Sequence, residues 1–188
     1  MKIVIVGAGE VGRYVAKMLS NENHDITIMD ESEDRLQDLD TNYDIMSRVG
    51  SPTSITDLQM CGVRNCDLFI AVYPSESVNT TACIIASKLG ARKTVARIDN
   101  YEYLLPKNKE MLKNLGIDKL IYPEVLAATE IVQSLKRSWI REYRTFSNEA
   151  LVLVCVKVRE NAEIINKVFS TGFFNHSMYR IVAVKRHT

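Results

Sequence analysis

No stretch of the chain approaches the roughly 20 consecutive apolar residues that a membrane span needs, so no direct membrane insertion is expected. Charge of one sign is also lacking. The 24 basic and 23 acidic residues leave a net charge of +1, which gives no electrostatic reason to expect nucleic acid or an anionic membrane surface as partner. Metal-binding residue types are sparse. Cys61, Cys66, Cys83 and Cys155 form no Cys-x-x-Cys pair and the three histidines are scattered, so no zinc site is expected and buried thiols in a reducing compartment are the better reading. The opening run Lys2 to Val6 is too short for the apolar region of a signal peptide, and no cleavage-type segment follows; a cytosolic protein is expected.

What is present is ordinary for a globular protein: 46% hydrophobic and 25% charged residues in 188, enough for one good-sized domain with a small appendage. Strand and helix signals alternate from the first residue. Apolar runs mark strands at Lys2–Val6, Asp25–Met29, Tyr43–Val49, Asp67–Val72, Arg92–Ile98 and Lys119–Tyr122. Helical signals lie between them: Val11, Val15, Met18 and Leu19 at helical spacing, then 34–39, 55–61, 76–89 closed by Gly90, and 101–115. Such alternation, with near-continuous apolar strands, predicts a parallel sheet covered on both faces. Right-handed crossovers make it doubly wound.

Pro123 and Glu124 open a longer helix, with Ala128, Ile131, Val132, Leu135 and Trp139 on one stripe and Lys136, Arg137 and Arg141 in its last turns. Composition shifts at Arg144-Thr145-Phe146-Ser147-Asn148, read as a polar linker. A strand (151–158), a helix (161–170, ended by Gly172) and a strand (179–185) are expected after it. The division is therefore 1–143 and 144–188, the second part a small, incomplete β-α-β piece near the lower size limit for independent folding.

The sharpest motif is Gly7-Ala8-Gly9-Glu10-Val11-Gly12, set between a strand and a helix. Gly7 permits the tight turn, Gly9 leaves the backbone open to a pyrophosphate, and Gly12 lets the helix pack closely on the sheet. The helix N-terminus offers unpaired N–H groups and a positive dipole end. Asp30 ends the second strand, where a carboxylate accepts hydrogen bonds from ribose hydroxyls and repels a 2′-phosphate, favouring NAD over NADP. This context makes the first part a Rossmann domain with strand order 3-2-1-4-5-6. Further ligand contacts are expected at the carboxyl ends of other strands: Ser51 and Thr53, Val72 and Tyr73, and Arg97. Ser51 and Thr53 equally suit helix capping, and Arg97 a surface ion pair.

A dehydrogenase needs an acid or base beside the nicotinamide. His24 precedes the second strand, at the opposite edge from the crevice, and His176 and His187 belong to the second part. Tyr103 and Lys107 have the spacing of a short-chain dehydrogenase pair, but Pro106 between them argues against a shared helix. A nucleotide sensor is the expected role; an NAD-dependent oxidoreductase fragment is the alternative.

These residues resemble the TrkA and Ktr-type regulatory subunits of bacterial potassium uptake, built on RCK (KTN) domains. The resemblance rests on Met1–Gly12, Asp25–Asp30, Cys66–Val72, Glu76 with Asn79, Ala96-Arg97-Ile98 and Ile121-Tyr122-Pro123-Glu124, and covers essentially the whole chain. It implies a cytoplasmic homodimer or larger ring, held at the inner face of the membrane by a potassium-translocating subunit. NAD or NADH, alternatively ATP or ADP, would gate transport. It also implies a cation contact at Glu124, and that 150–186 begins a longer C-terminal subdomain. Two departures stand out: Ser51 after Gly50 where many members have Asp, and Tyr73, followed by Pro74, where many have a small residue.

Overall fold

The structure, a computed structural model, describes residues 1–37, 39, 43–136, 140–146, 150–168 and 179–185, with Gln133 and Lys136 described by backbone alone. Arg137, Trp139, Ser147, Asn148, Ser170, Gly172, His176 and His187, named above, lie outside the described residues. The chain divides into two compact units, Met1–Glu130 and Ile131–Thr188.

The first unit is built on six parallel strands: β1 (Lys2–Val6), β2 (Asp25–Asp30), β3 (Ile45–Val49), β4 (Leu68–Ala71), β5 (Thr94–Arg97) and β6 (Lys119–Ile121). Their order is β3-β2-β1-β4-β5-β6, as the alternation and the glycine motif predict. Successive side chains of a strand point to opposite faces. Val4, Val6, Phe69 and Ala71 thus fill one core with Leu58, Cys83, Ala86 and Ile117, while Ile3, Ile5, Ile28 and Ile70 fill the other with Ala16, Leu36 and Leu39. Burial on both faces is why the central strands β1 and β4 are apolar almost throughout.

The covering helices are α1 (Glu10–Ser20), α2 (Glu33–Leu36), α3 (Ile55–Met60), α4 (Glu76–Leu89) and α5 (Pro106–Asn114), and α6 (Pro123–Lys136) follows β6. The inward face of α1 differs from the expected stripe. Gly12 and Ala16 are buried and Val15 and Leu19 pack against the core, whereas Val11 and Met18 are about half exposed. The helix lies on the sheet through Gly12 and Ala16, with Val15 and Leu19 beside them, so Val11 and Met18 turn outward. The expected helix 101–115 is a 3-10 turn (Tyr101–Leu104) followed by α5, because Pro106 lacks an N–H and suits the first helical position. Tyr103 and Lys107 therefore share no helix.

In the second unit, β7 (Ile140–Phe146) and β8 (Leu151–Val156) pair antiparallel, from Ile140 opposite Val156 to Phe146 opposite Leu151. Arg144, Thr145 and Phe146 are thus strand rather than linker, and Arg141 is strand rather than helix. Tyr143 and Thr145 carry the side-chain types that suit a pleated surface. Among the described residues, 161–168 are turns rather than helix, and 179–185 form no strand.

Candidate functional site

Beyond Val6 the chain turns sharply at Gly7, whose φ of +100° disfavours any residue with a Cβ. Its N–H donates to the Met29 carbonyl at 2.8 Å, holding the turn against β2. A Cβ on Gly7 would lie 2.8 Å from the Tyr73 nitrogen, and one on Gly12 would overlap the Gly7 carbonyl oxygen. Gly9 differs: a Cβ there meets nothing within 4 Å, so its freedom serves the space outside the protein. No side chain caps the first turn of α1, so its leading N–H groups and its dipole face that space.

Asp30 is 1% exposed at the end of β2. Its Oδ2 accepts from the Ala8 N–H at 2.7 Å, and its Oδ1 from the Ser32 N–H at 2.9 Å. Arg35 Nη1 stands 3.6 Å from Oδ2. A carboxylate offers about four lone-pair sites, so acceptor capacity remains after both backbone bonds. The carboxylate thus ties the glycine turn to the loop after β2.

The equivalent tie on the other side of β1 is Asn79, also 1% exposed. Its Oδ1 accepts from the Tyr73 N–H at 2.7 Å, and its Nδ2 donates to the carbonyls of Tyr73 (2.9 Å) and Arg97 (3.0 Å). One side chain on α4 thereby fixes the ends of β4 and β5. Beside it, Glu76 Oε2 accepts from the N–H groups of Asp99 and Asn100, both at 2.7 Å. Arg97 reaches Asp99 at 3.3 Å through Nη2, while its Nε is buried without a partner.

Next to the turn lies a groove of about 520 Å³, lined by Ala8, Gly9, Glu10, Arg13, Tyr14, Lys17, Asp34 and Arg35. Its cations are partly engaged. Arg13 Nη1 donates to the Arg35 carbonyl at 2.9 Å, and Lys17 Nζ lies 4.8 Å over the Tyr43 ring. Tyr73 Oη donates to Glu31 Oε2 at 2.8 Å, joining the loop after β4 to the loop after β2. That hydrogen bond, with burial and the Glu31 and Asp30 charges, pushes the phenol up to about 12.

The family model of the TrkA-N domain matches residues 3–123, all six strands of the sheet. The chain belongs to the TrkA-N domain family. A "Trk system potassium uptake protein TrkA" of Haemophilus influenzae is 34% identical over 192 residues, covering 100% of this chain and 42% of that protein. The TrkA-N chain thus spans less than half of that relative's length. Among solved structures, the GsuK channel bound to NAD aligns with a TM-score of 0.53 at 22% identity, over 64% of this chain and 21% of that one. The Shewanella denitrificans Kef C-terminal domain in AMP-bound form gives 0.56 at 18%, over 73% and 82%. At these identities the structures show the shared fold. The resemblance read from the sequence motifs and the parallel-sheet fold class are borne out.

Within this TrkA-N domain, the structure brings together Gly7 to Gly12, Asp30, Val72 and Tyr73 around the end of β1, the position where the strand order reverses. Val72 is 7% exposed, and its side chain would lie 3.3 Å from a Cβ on Gly12, so it serves as packing beneath α1. Ser51 and Thr53 follow β3, and neither caps α3. That cap is Ser54, whose hydroxyl accepts from the Asp57 N–H, while the Asp57 carboxylate accepts from the Ser51 N–H. Glu124 is exposed in the first turn of α6, and no group of three metal-ligating side chains occurs among the described residues. The sequence marks Asn79 only as a motif residue beside Glu76; its bracing role shows once its three partners are folded around it.

Proposed function

We propose that this chain is the nucleotide-sensing part of a regulatory subunit that gates a membrane potassium-translocating partner, binding NAD(H) or an adenine nucleotide rather than catalysing a reaction. The observation that carries the reading is the uncapped N-terminus of α1, opening on free space at Gly9, with the Asp30 carboxylate tied to the same turn. Phosphates would accept from the N–H groups of Gly9 to Gly12, and ribose hydroxyls would donate to the remaining lone pairs of Asp30. Glu10 and Val11 contribute backbone there, and Glu10 lines the adjoining groove. The buried, partnerless Nε of Arg97 suits the far half of a dinucleotide. Ser51 and Thr53 remain adenine-side candidates, and Glu124 a cation contact.

The TrkA relative supports a potassium-uptake role, and the NAD-bound and AMP-bound neighbours support an adenine nucleotide as the ligand class. His24 lies before β2, away from the carboxyl edge where an acid or base for hydride transfer would stand. No helix among the described residues is long and apolar enough to cross a membrane, which fits attachment through a partner. Ile131 and Leu135, 60% and 71% exposed on α6, are available to a second copy in a homodimer or ring.

A ligand moves a gate only by binding its two states unequally, and coupling of about 1–3 kcal/mol corresponds to roughly 5- to 150-fold in affinity. The test is potassium flux through the reconstituted transporter with the full-length regulatory subunit, nucleotide being titrated against wild type and Gly9→Val. Flux should follow nucleotide in the wild type and lose that response in the variant. Wild-type flux indifferent to nucleotide would reject regulation, and steady hydride transfer by the chain alone would favour an enzyme.

A further inference from the structure

Asp30 does not stand alone at the end of β2. An isolated carboxylate there repels a phosphate carried on the ribose, whereas an arginine nearby accommodates one. In this chain each Asp30 oxygen accepts a backbone N–H, and Arg35 Nη1 stands 3.6 Å from Oδ2. The Arg35 side chain is 47% exposed, so its guanidinium is open to a second anion while it compensates the first. A ribose hydroxyl donating to Oδ2 would lie within about 6 Å of that guanidinium.

Two further cations share the groove with Arg35. Arg13 and Lys17 lie one turn apart on the face of α1 that also carries Glu10 and Tyr14. Arg13 Nη1 donates to the Arg35 carbonyl at 2.9 Å, which holds the Arg13 guanidinium against the backbone of Arg35 and uses only one of its N–H groups. Like charges at the Arg13–Lys17 spacing cost a helix stability, and an anion seated between them removes that cost. The acids of the groove, Glu10 and Asp34, are exposed and screened by water, whereas Arg13 and Lys17 are half-buried.

We propose that Arg13, Lys17 and Arg35 seat a phosphate on the 2′ position of the ribose, so that the site takes 2′-phosphorylated adenine nucleotides, the NADP class, as well as unphosphorylated ones. This rests on the site proposed above. The 5′-phosphates lie at Gly9, the 3′-hydroxyl donates to Asp30, and the 2′-phosphate enters the groove, which runs from Ala8 and Gly9 to Arg35. Guanidinium forks match the oxygens of a phosphate. The preference for NAD over NADP expected from Asp30 alone is thereby lost.

Calorimetric titration of AMP, adenosine 2′,5′-bisphosphate and adenosine 3′,5′-bisphosphate into the whole chain tests this, in the wild type and in the double variant Arg13→Gln with Lys17→Gln. The wild type should bind the 2′,5′-bisphosphate about 10-fold more tightly than AMP, the size of one exposed hydrogen bond to a charged group. The 3′,5′ isomer has the same charge but lacks the hydroxyl that Asp30 holds, and should gain nothing over AMP. The double variant should abolish the 2′,5′ advantage and leave AMP within about 2-fold. Equal gains by both isomers, no gain by the 2′,5′-bisphosphate, or a gain that survives the double variant would overturn the phosphate seat while leaving the nucleotide site intact. A wild type that binds none of the three would overturn the site itself, and the seat with it.

Discussion

The two sides of the crevice are held by one buried polar side chain each, and the two use their hydrogen bonds differently. On the β2 side, Asp30 accepts two backbone N–H groups and keeps acceptor capacity in reserve. On the β4 and β5 side, Asn79 spends both amide donors and its oxygen on three backbone groups. The first residue is a buried brace that keeps unused lone pairs beside Arg35; the second is a brace with every amide group spent. Buried polar groups are costly unless satisfied, so both must have partners, but only incomplete satisfaction leaves anything to offer a nucleotide. Gly12 and Gly9 repeat the contrast in the turn itself: one is needed by the fold and the other faces empty space.

The largest effect should come from the glycines. Gly12→Ala places a Cβ against the Gly7 carbonyl, in a turn already tied to β2, and should cost about 3 kcal/mol or more. Gly9→Ala should change stability by only about 0.5 kcal/mol. Urea denaturation of the two variants compares them, and equal losses would break the distinction. Next comes Asn79→Leu, which strands the Tyr73 N–H and two carbonyls and should cost about 2–3 kcal/mol in the same assay. Asp30→Asn keeps one acceptor oxygen. It should lower stability by about 1 kcal/mol but weaken ADP binding by about 10-fold or more, read by calorimetry. If Asn79→Leu were instead neutral for stability, the two sides would not differ as described.

The smallest effect concerns the thiols of the two units. Burial pushes Cys61 and Cys66 up to about 11 and Cys83 up to about 12, while Cys155 on β8 is exposed. A buried thiol with a raised pKa carries little thiolate at neutral pH. Iodoacetamide at pH 7.5 should therefore label Cys155 alone in the native protein, as read by mass spectrometry, and all four cysteines after unfolding. Native labelling of Cys83 would mean that the first unit opens more readily than its core implies.

Much of the first unit was legible because local patterns and global topology agree there. The run Lys2–Val6, the glycine turn and Asp30 each announce a place in the fold that depends on neighbours close in sequence or on regular strand spacing. The hydrogen-bond roles of Asn79 and of the Tyr73–Glu31 pair are illegible for the opposite reason: they lie in partners 6, 18 and 42 positions away. In the second unit Arg141, which imitates a helix-end cation in sequence, lies in a strand. The strand Ile140–Phe146 declares itself only through pairing with Leu151–Val156. Likewise the expected stripe of α1 holds for Val15 and Leu19 but misses Gly12 and Ala16, small residues that register weakly on any hydrophobicity pattern.

The central claim is that the open N-terminus of α1 at Gly9 is a phosphate site. Calorimetric titration of ADP into wild type and Gly9→Val, with the unfolding midpoint of each recorded alongside, tests it most directly. The account predicts saturable binding by the wild type and loss of binding in Gly9→Val at a nearly unchanged midpoint, because nothing in the fold occupies the space where the new side chain would go. A folded Gly9→Val that binds ADP as tightly as the wild type would contradict it.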